Sequence, residues 1–290
     1  MLKPKILSRY SLALGLLLFS CEPDLTLCTK KFGDGSLQYE VPCKRGLFHG
    51  EYREYHRNGD LWITRQYQDG VEVDTTRYYY SRTGEVLKEI PMQQGERHGI
   101  AREFHKDGRV KRAQGYQQGQ RHGEDITYHA DGRTPHVQIT YQDNAKNGPY
   151  QRFSPEGQVA LEGQYTANQR QGTWRYFYPD GTLKAEVAFA DGQINGPFRI
   201  LRTNGQPYLS GKARNGRVNG KVTYYRPSGT AHFQERWNQG ANLEHDAASG
   251  LERSYQPNKA AFWVYNENTY LYLAPDSVQI GPSALAPDEF

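Results

Sequence analysis

The sequence predicts an all-β protein: an elongated, twisted antiparallel sheet of about eight stacked β-hairpin repeats of 24–25 residues, with a short C-terminal capping hairpin. Three observations predict it. A glycine recurs at Gly35, Gly59, Gly84, Gly108, Gly132, Gly157, Gly181, Gly205 and Gly229, with gaps of 24 or 25 residues, and a fixed period in this range means stacked units. Asp34, Asn58, Asp107, Asp131, Asp180 and Asn204 stand directly before those glycines, and Asp-Gly or Asn-Gly between strand-like runs marks a hairpin turn. The chain holds 22 Tyr and 30 Gly but two Met, which suits strands and turns better than a helical core.

Residues 1–20 read as an export signal. Lys3, Lys5 and Arg9 precede the apolar run Leu12-Ala13-Leu14-Gly15-Leu16-Leu17-Leu18-Phe19. That run falls short of the roughly 20 apolar residues a spanning helix needs and has the proportions of a secretory signal. The formal net charge of +4 includes those three cations, so without them the chain stands at +1. No basic stripe or arginine-rich run is present, which speaks against nucleic acid as a partner. The run ends Leu18-Phe19-Ser20-Cys21 and resembles a bacterial lipobox. The resemblance implies lipidation of Cys21 and a membrane anchor there; a plain signal peptide with an incidental Cys21 is the alternative. Glu22, not Asp, follows Cys21, which favours the outer membrane or the cell surface. Residues 21–28 would be a tether. In an exported protein Cys28 and Cys43 are disulfide candidates. A first hairpin centred on Asp34-Gly35 sets residues summing to about 69 opposite each other, and these two come within a residue of that.

The repeat array occupies 29–240. Pro155, Pro179 and Pro227 open several of the turns. Proline cannot take positive φ, so a type I turn closed by a left-handed glycine, the G1-bulge hairpin, is expected. Four residues before the turn glycine stand Tyr55, Phe104, Phe153 and Phe177; two after it come Leu61 and Leu183; eight after it come Tyr67, Tyr165, Phe189 and Trp237. Positions two and eight share parity, so together with the first column they read as the apolar core. Columns of opposite parity then face outward: Tyr52, Tyr150, Trp174 and Phe198 seven before the glycine, and Tyr79, Tyr176 and Tyr224 five before it. These seven aromatics are the candidates for partner contact; the alternative is cross-strand pairs that only shield the sheet. Two more glycine columns, such as Gly172 and Gly192, with Asp74, Asn144 and Asn168 as stand-ins, read as left-handed linkers between hairpins.

The pattern Gly-x-Trp/Tyr-x-x-Phe/Tyr, then Asp/Asn-Gly-x-Leu, then Tyr/Phe-x-x-Gly, then x-x-His/Asn-Gly resembles the MORN repeat in its bacterial variant form. The His/Asn-Gly element stands at His49-Gly50, His98-Gly99, His122-Gly123, Asn147-Gly148, Asn195-Gly196 and Asn219-Gly220. The resemblance implies a curved sheet of successive hairpins that serves as a protein- or lipid-binding scaffold without chemistry of its own. Some bacterial relatives carry an antitoxin-like label.

Chemistry-bearing constellations are weak. The pairs His49/His56, His98/His105 and His122/His129 are seven apart, an odd step that sends the rings to opposite faces, so no metal site is expected. The acids Glu51, Glu54, Asp60, Glu103, Glu124 and Asp125 are scattered. No nucleophile–base set and no phosphate loop before a helix is visible, so no catalytic residue and no cofactor are expected. Residues 241–290 read as cap and tail: 261–265 and 269–273 form a last hairpin guarding the open edge, and Gly281 to Phe290 trail off. The expected protein is a monomeric, non-enzymatic envelope lipoprotein that binds a protein partner. An antitoxin or immunity role is the alternative, and an envelope hydrolase a more distant one.

Overall fold

The computed structural model describes residues 25–239, together with backbone strands at 241–242, 263–266, 269–274 and 277–282. The signal segment and Cys21 lie outside the described residues. The array is one 22-stranded sheet in which strands pair antiparallel with their neighbours in sequence, as Gln169–Phe177 does with Leu183–Ala190 and that strand with Gln193–Leu201. No helix interrupts this meander among the described residues.

Two turn types alternate along it, one on each edge. On the first edge, the Gly181 N–H donates to the Tyr178 carbonyl at 2.9 Å and the Tyr178 N–H to the Thr182 carbonyl at 2.8 Å, with Gly181 at φ 84°. This is the type I turn with a G1 bulge that Pro179-Asp180-Gly181 predicts. Asp180 stands before the glycine because its Oδ1 accepts from the Thr182 N–H at 2.8 Å and the Thr182 hydroxyl at 2.7 Å, an Asx turn that offers the backbone a local partner. On the opposite edge, Asp191 and Gly192 both take positive φ, 52° and 78°. That is a two-residue type I′ turn. The expected linkers are therefore hairpin turns in their own right, and Asn144 and Asn168 occupy the second left-handed position at φ 68° and 69°.

Gly172 is not a linker glycine. It lies inside Gln169–Phe177 at φ 68°, where the register jumps from Gln164↔Gln171 to Glu162↔Arg175. The extra residues make a bulge, and the bulge glycine precedes the strand half that carries Trp174.

A second irregularity decides which face is core. Phe177 pairs with Leu183, but Tyr176 pairs with Ala185, so Lys184 is skipped. The parity shared by positions two and eight is broken there: Leu183 follows Phe177, while Ala185, Val187 and Phe189 follow Tyr176 and Trp174. Trp174 is 0% exposed, Phe198 2%, Tyr224 5% and Tyr52 6%, whereas Phe177 and Leu183 are half-buried. The expectation of outward aromatics is thus reversed for these four. Tyr150 and Tyr176 are half-buried and pack against the same apolar cluster. Tyr79 sits on the other face: the turn at 80–85 carries one more residue, with Arg82 at φ 74°, and Tyr79 pairs with Val86 as Phe177 does with Leu183.

Among the described residues, the two packed apolar clusters lie toward the two ends of the array, with Ile63, Ala101, Ile139 and Tyr141 buried between them. One cluster runs from Leu161 to Trp237 and contains Trp174, Val187, Phe189, Ile194, Phe198, Leu209 and Val222. The other gathers Val41, Cys43 and Tyr52, with Tyr39, Phe48 and Tyr67 against them, and a disulfide joins Cys28 to Cys43 across the first hairpin. The pairing there is Cys28↔Val41 and Thr26↔Cys43, so the two cysteines are diagonal neighbours with Cα atoms 5.9 Å apart. Burial of each large side chain contributes about 1.5–3 kcal/mol. The opposite face is held by a ladder of ion pairs, Glu162–Arg175 at 3.2 Å, Arg175–Glu186 at 3.0 Å and Arg199–Glu186 at 2.6 Å.

Beyond the array, Trp263–Asn266, Thr269–Ala274 and Ser277–Pro282 form a three-stranded antiparallel sheet of their own. The third strand takes in Gly281, where the sequence suggests a tail.

Candidate interaction surface

Between the two apolar clusters the buried face carries a polar network beside buried Ala101 and Ile139. At the strand position held by Tyr52, Tyr150, Trp174 and Phe198 in other repeats stands Asp125, itself 4% exposed. Arg112 holds it with two donors, Nε at 2.7 Å and Nη2 at 2.5 Å, and the Gln114 amide donates to the same carboxylate at 3.0 Å. The Tyr116 hydroxyl completes the network on Gln114 Oε1 at 2.8 Å. A carboxylate this buried requires such a set of donors. Strand pairing supplies it, because Gln114 stands directly opposite Asp125.

Alongside runs a row of rings capped by cations. The second residues after the type I′ turns, Arg97, Arg121, Lys146 and Arg170, stand opposite Met92, Tyr116, Tyr141 and Tyr165. Three cations lean onto a ring of a following strand, Arg97 over Tyr116 at 4.7 Å, Arg121 over Tyr141 at 4.5 Å and Lys146 over Tyr165 at 5.1 Å, while Arg170 lies over Trp174 of its own strand at 4.4 Å and over Phe189 of the next at 5.3 Å. The ring quadrupole attracts the charge, and the aliphatic stem covers the ring edge-on from water. In a single-layer sheet this is how one face is closed. Sequence reading missed the row because its members sit thirteen or fourteen residues after the turn glycine, beyond the columns that carry aromatics.

The histidines do turn work. His49 Nδ1 lies 3.1 Å from Asp69 Oδ1, and His122 Nδ1 lies 3.5 Å from Asp143, bridging the ends of one hairpin at its type I′ edge. The His129 and His136 rings lie 4.6 Å apart between centroids, tilted by 48°, and burial, then the charge of His129, pushes the His136 imidazole below its usual value. No group of three or more metal-ligating side chains converges among the described residues. A shallow polar recess on the type I′ edge is lined by Glu96, Gln117, Gln118, Gln120 and Asp143. Buried rings shift upward: burial raises the Tyr150 and Tyr52 hydroxyls, Glu54 adding to the second.

Comparison with known proteins bears on the repeat itself. No curated protein matches the chain. Among solved structures, a TcdB2-TccC3-TEV assembly is matched over 87% of this chain and 17% of that one, at 12% identity and a TM-score of 0.19. A Photorhabdus luminescens Tc holotoxin pore is matched over 85% and 15%, also at 12% identity and 0.19. The chain thus spans about a sixth of either, and scores this low define neither fold nor partner. The family model described as the MORN repeat variant matches residues 48–69 and 170–191. The second of these spans the type I′ entry at Arg170, the bulge at Gly172, the Trp174 strand and the G1 turn at Gly181, the frame that the other hairpins repeat. Two of the hairpins in this sheet are MORN-variant repeats.

Proposed function

We propose that the chain is a non-catalytic scaffold of the bacterial cell envelope, anchored through a lipid on Cys21, whose repeat array binds a protein partner. The observation that carries the reading is the regular face opposite the buried one. There, half-buried Tyr55, Phe104, Phe153 and Phe177 recur from repeat to repeat on the face that also carries the Arg175–Glu186–Arg199 ladder. Aromatic rings set in a fixed, charge-balanced lattice suit a protein contact whose anchors are preorganised. The match to MORN-variant repeats, a class of binding repeats, supports the same reading. The buried columns of Trp174 and Phe198 hold this face in shape and are not the contact.

Affinity capture from envelope extract tests the reading, with a Phe153→Ser/Phe177→Ser form expected to lose the captured protein. Equal capture by that form would overturn it. The anchor is tested separately: Cys21→Ser is expected to move the protein from the membrane fraction to the soluble one, and an unchanged distribution sinks the lipid.

A further inference from the structure

The two faces of the central array differ in how they treat charge. On the regular face guanidinium groups meet carboxylates, as in Arg77–Glu89 and Glu162–Arg175–Glu186–Arg199. On the other face Arg97, Arg121, Lys146 and Arg170 take the same place in four successive repeats, and none of them belongs to an ion pair among the described residues. Phe48 and Glu72 hold that place before them and Ile194 and Val218 after them, so the cationic stretch has defined ends. The nearby acids of this face are engaged: Asp125 by Arg112 at 2.5 Å, and Glu103 with Lys111 at 3.9 Å. The rings beneath fix the four cations in a line, about 10 Å apart because successive members are two strands removed.

We propose that this row binds a linear acidic polysaccharide with one carboxylate per disaccharide. The row is one residue wide and evenly stepped, which fits a slender chain with regularly spaced anions. A bilayer would instead meet a broad basic patch, and three of the four cations are half-buried. The ring faces are already covered by guanidinium and ammonium groups, which removes the platforms that nucleobases stack on. The inference rests on the binding-scaffold reading and adds a second class of ligand to it.

Hyaluronan, which has this charge spacing, is the probe, with neutral dextran and phosphatidylglycerol vesicles as comparisons and the full-length protein as the sample. Saturable binding of hyaluronan that weakens with added salt is expected. Arg97→Gln/Arg121→Gln/Lys146→Gln should lose at least tenfold in affinity and Arg97→Lys/Arg121→Lys should retain most of it, while Arg53→Gln/Arg175→Gln on the regular face should bind as the parent does. Unfolding midpoints are measured for each form, and Arg121→Gln alone replaces the triple variant if that one is unfolded. No binding of hyaluronan, an equal loss in the regular-face variant, or row-dependent binding of vesicles in preference to hyaluronan would overturn the proposal. Capture of an envelope protein by a chain that ignores hyaluronan sinks this inference and leaves the scaffold reading standing.

Discussion

At the scale of the residue, two close contacts in the array set a missing side chain against a large one. A Cβ at Gly163 would lie 2.2 Å from Cδ2 of Trp174, and one at Gly211 would lie 2.6 Å from Cζ of Phe198. Neither ring could lie flat on the sheet over any other residue. Gly163→Ala is therefore expected to destabilise by about 1–3 kcal/mol in urea unfolding. The same substitution in a Trp174→Leu background should cost much less, and equal costs in both would show that the ring contact is not the reason. Small turn carboxylates have a different signature. The Thr134 hydroxyl, then backbone N–H groups, hold Asp131 at about 2, and the Arg109 guanidinium, then the Arg109 N–H, hold Asp107 at about 2, below the roughly 3.9 of an unfolded aspartate. A lowered native value adds stability that is present in full above the unfolded value and is lost as the pH falls toward 2. Unfolding midpoints should therefore drop between about pH 4 and pH 2, and Asp107→Asn/Asp131→Asn should flatten that drop, because an amide oxygen still accepts the turn hydrogen bonds without titrating.

At the scale of the element, one bond recurs between repeats. The Tyr178 hydroxyl donates to the Leu201 carbonyl at 2.8 Å and the Tyr80 hydroxyl to the Phe104 carbonyl at 2.9 Å; His129 Nε2 reaches Phe153 at 3.1 Å and Arg202 Nη2 reaches Tyr225 at 3.1 Å. Each side chain leaves its own G1 turn and grips the strand end of the next hairpin, so neighbouring turns are strapped along one edge. Tyr178→Phe keeps the ring and removes the strap. It should cost about 0.5–1.5 kcal/mol, read as a lower midpoint, and no change would show that the strap is idle. The hairpins themselves were legible in the sequence, because turn chemistry is local: Pro179, Asp180 and Gly181 each have one reason to be there. The choice of face was not legible. It depends on the ladder skipping Lys184, and a skipped residue leaves no mark in a parity count. The pairing of Gly163 and Gly211 with rings on adjoining strands was the available clue, since only the buried side of this sheet needs such an allowance.

At the scale of the whole molecule, stability is a sum of repeat and neighbour terms, and those terms are unequal here. Fourteen buried residues hold the C-terminal repeats, three hold the N-terminal ones beside the disulfide, and between them lies the Arg112–Asp125–Gln114 network. An ion pair out of water contributes less net stability than apolar packing of the same volume. Hydrogen exchange under mild urea should thus release the amides of residues 97–142 before those of residues 172–237. A single coincident exchange front along the array would contradict the division. That the middle carries a charged network on its buried side could be seen only once it was known which side that was.

The spacing of the repeats is not uniform, and the structure shows where the difference goes. The intervals from Gly59 to Gly84 and from Gly132 to Gly157 are one residue longer than the rest, and the longer turns are those at 80–85 and 129–134. Both extra residues are absorbed on the edge of the G1 turns, leaving the strands and the type I′ edge undisturbed. That edge is the margin at which the chain tolerates a change of length, and the other edge is its spine. A tag or loop grafted after Asp131 should leave both faces in register, whereas the same graft between Asp143 and Asn144 would pry neighbouring strands apart at the place where the row of capped rings is threaded.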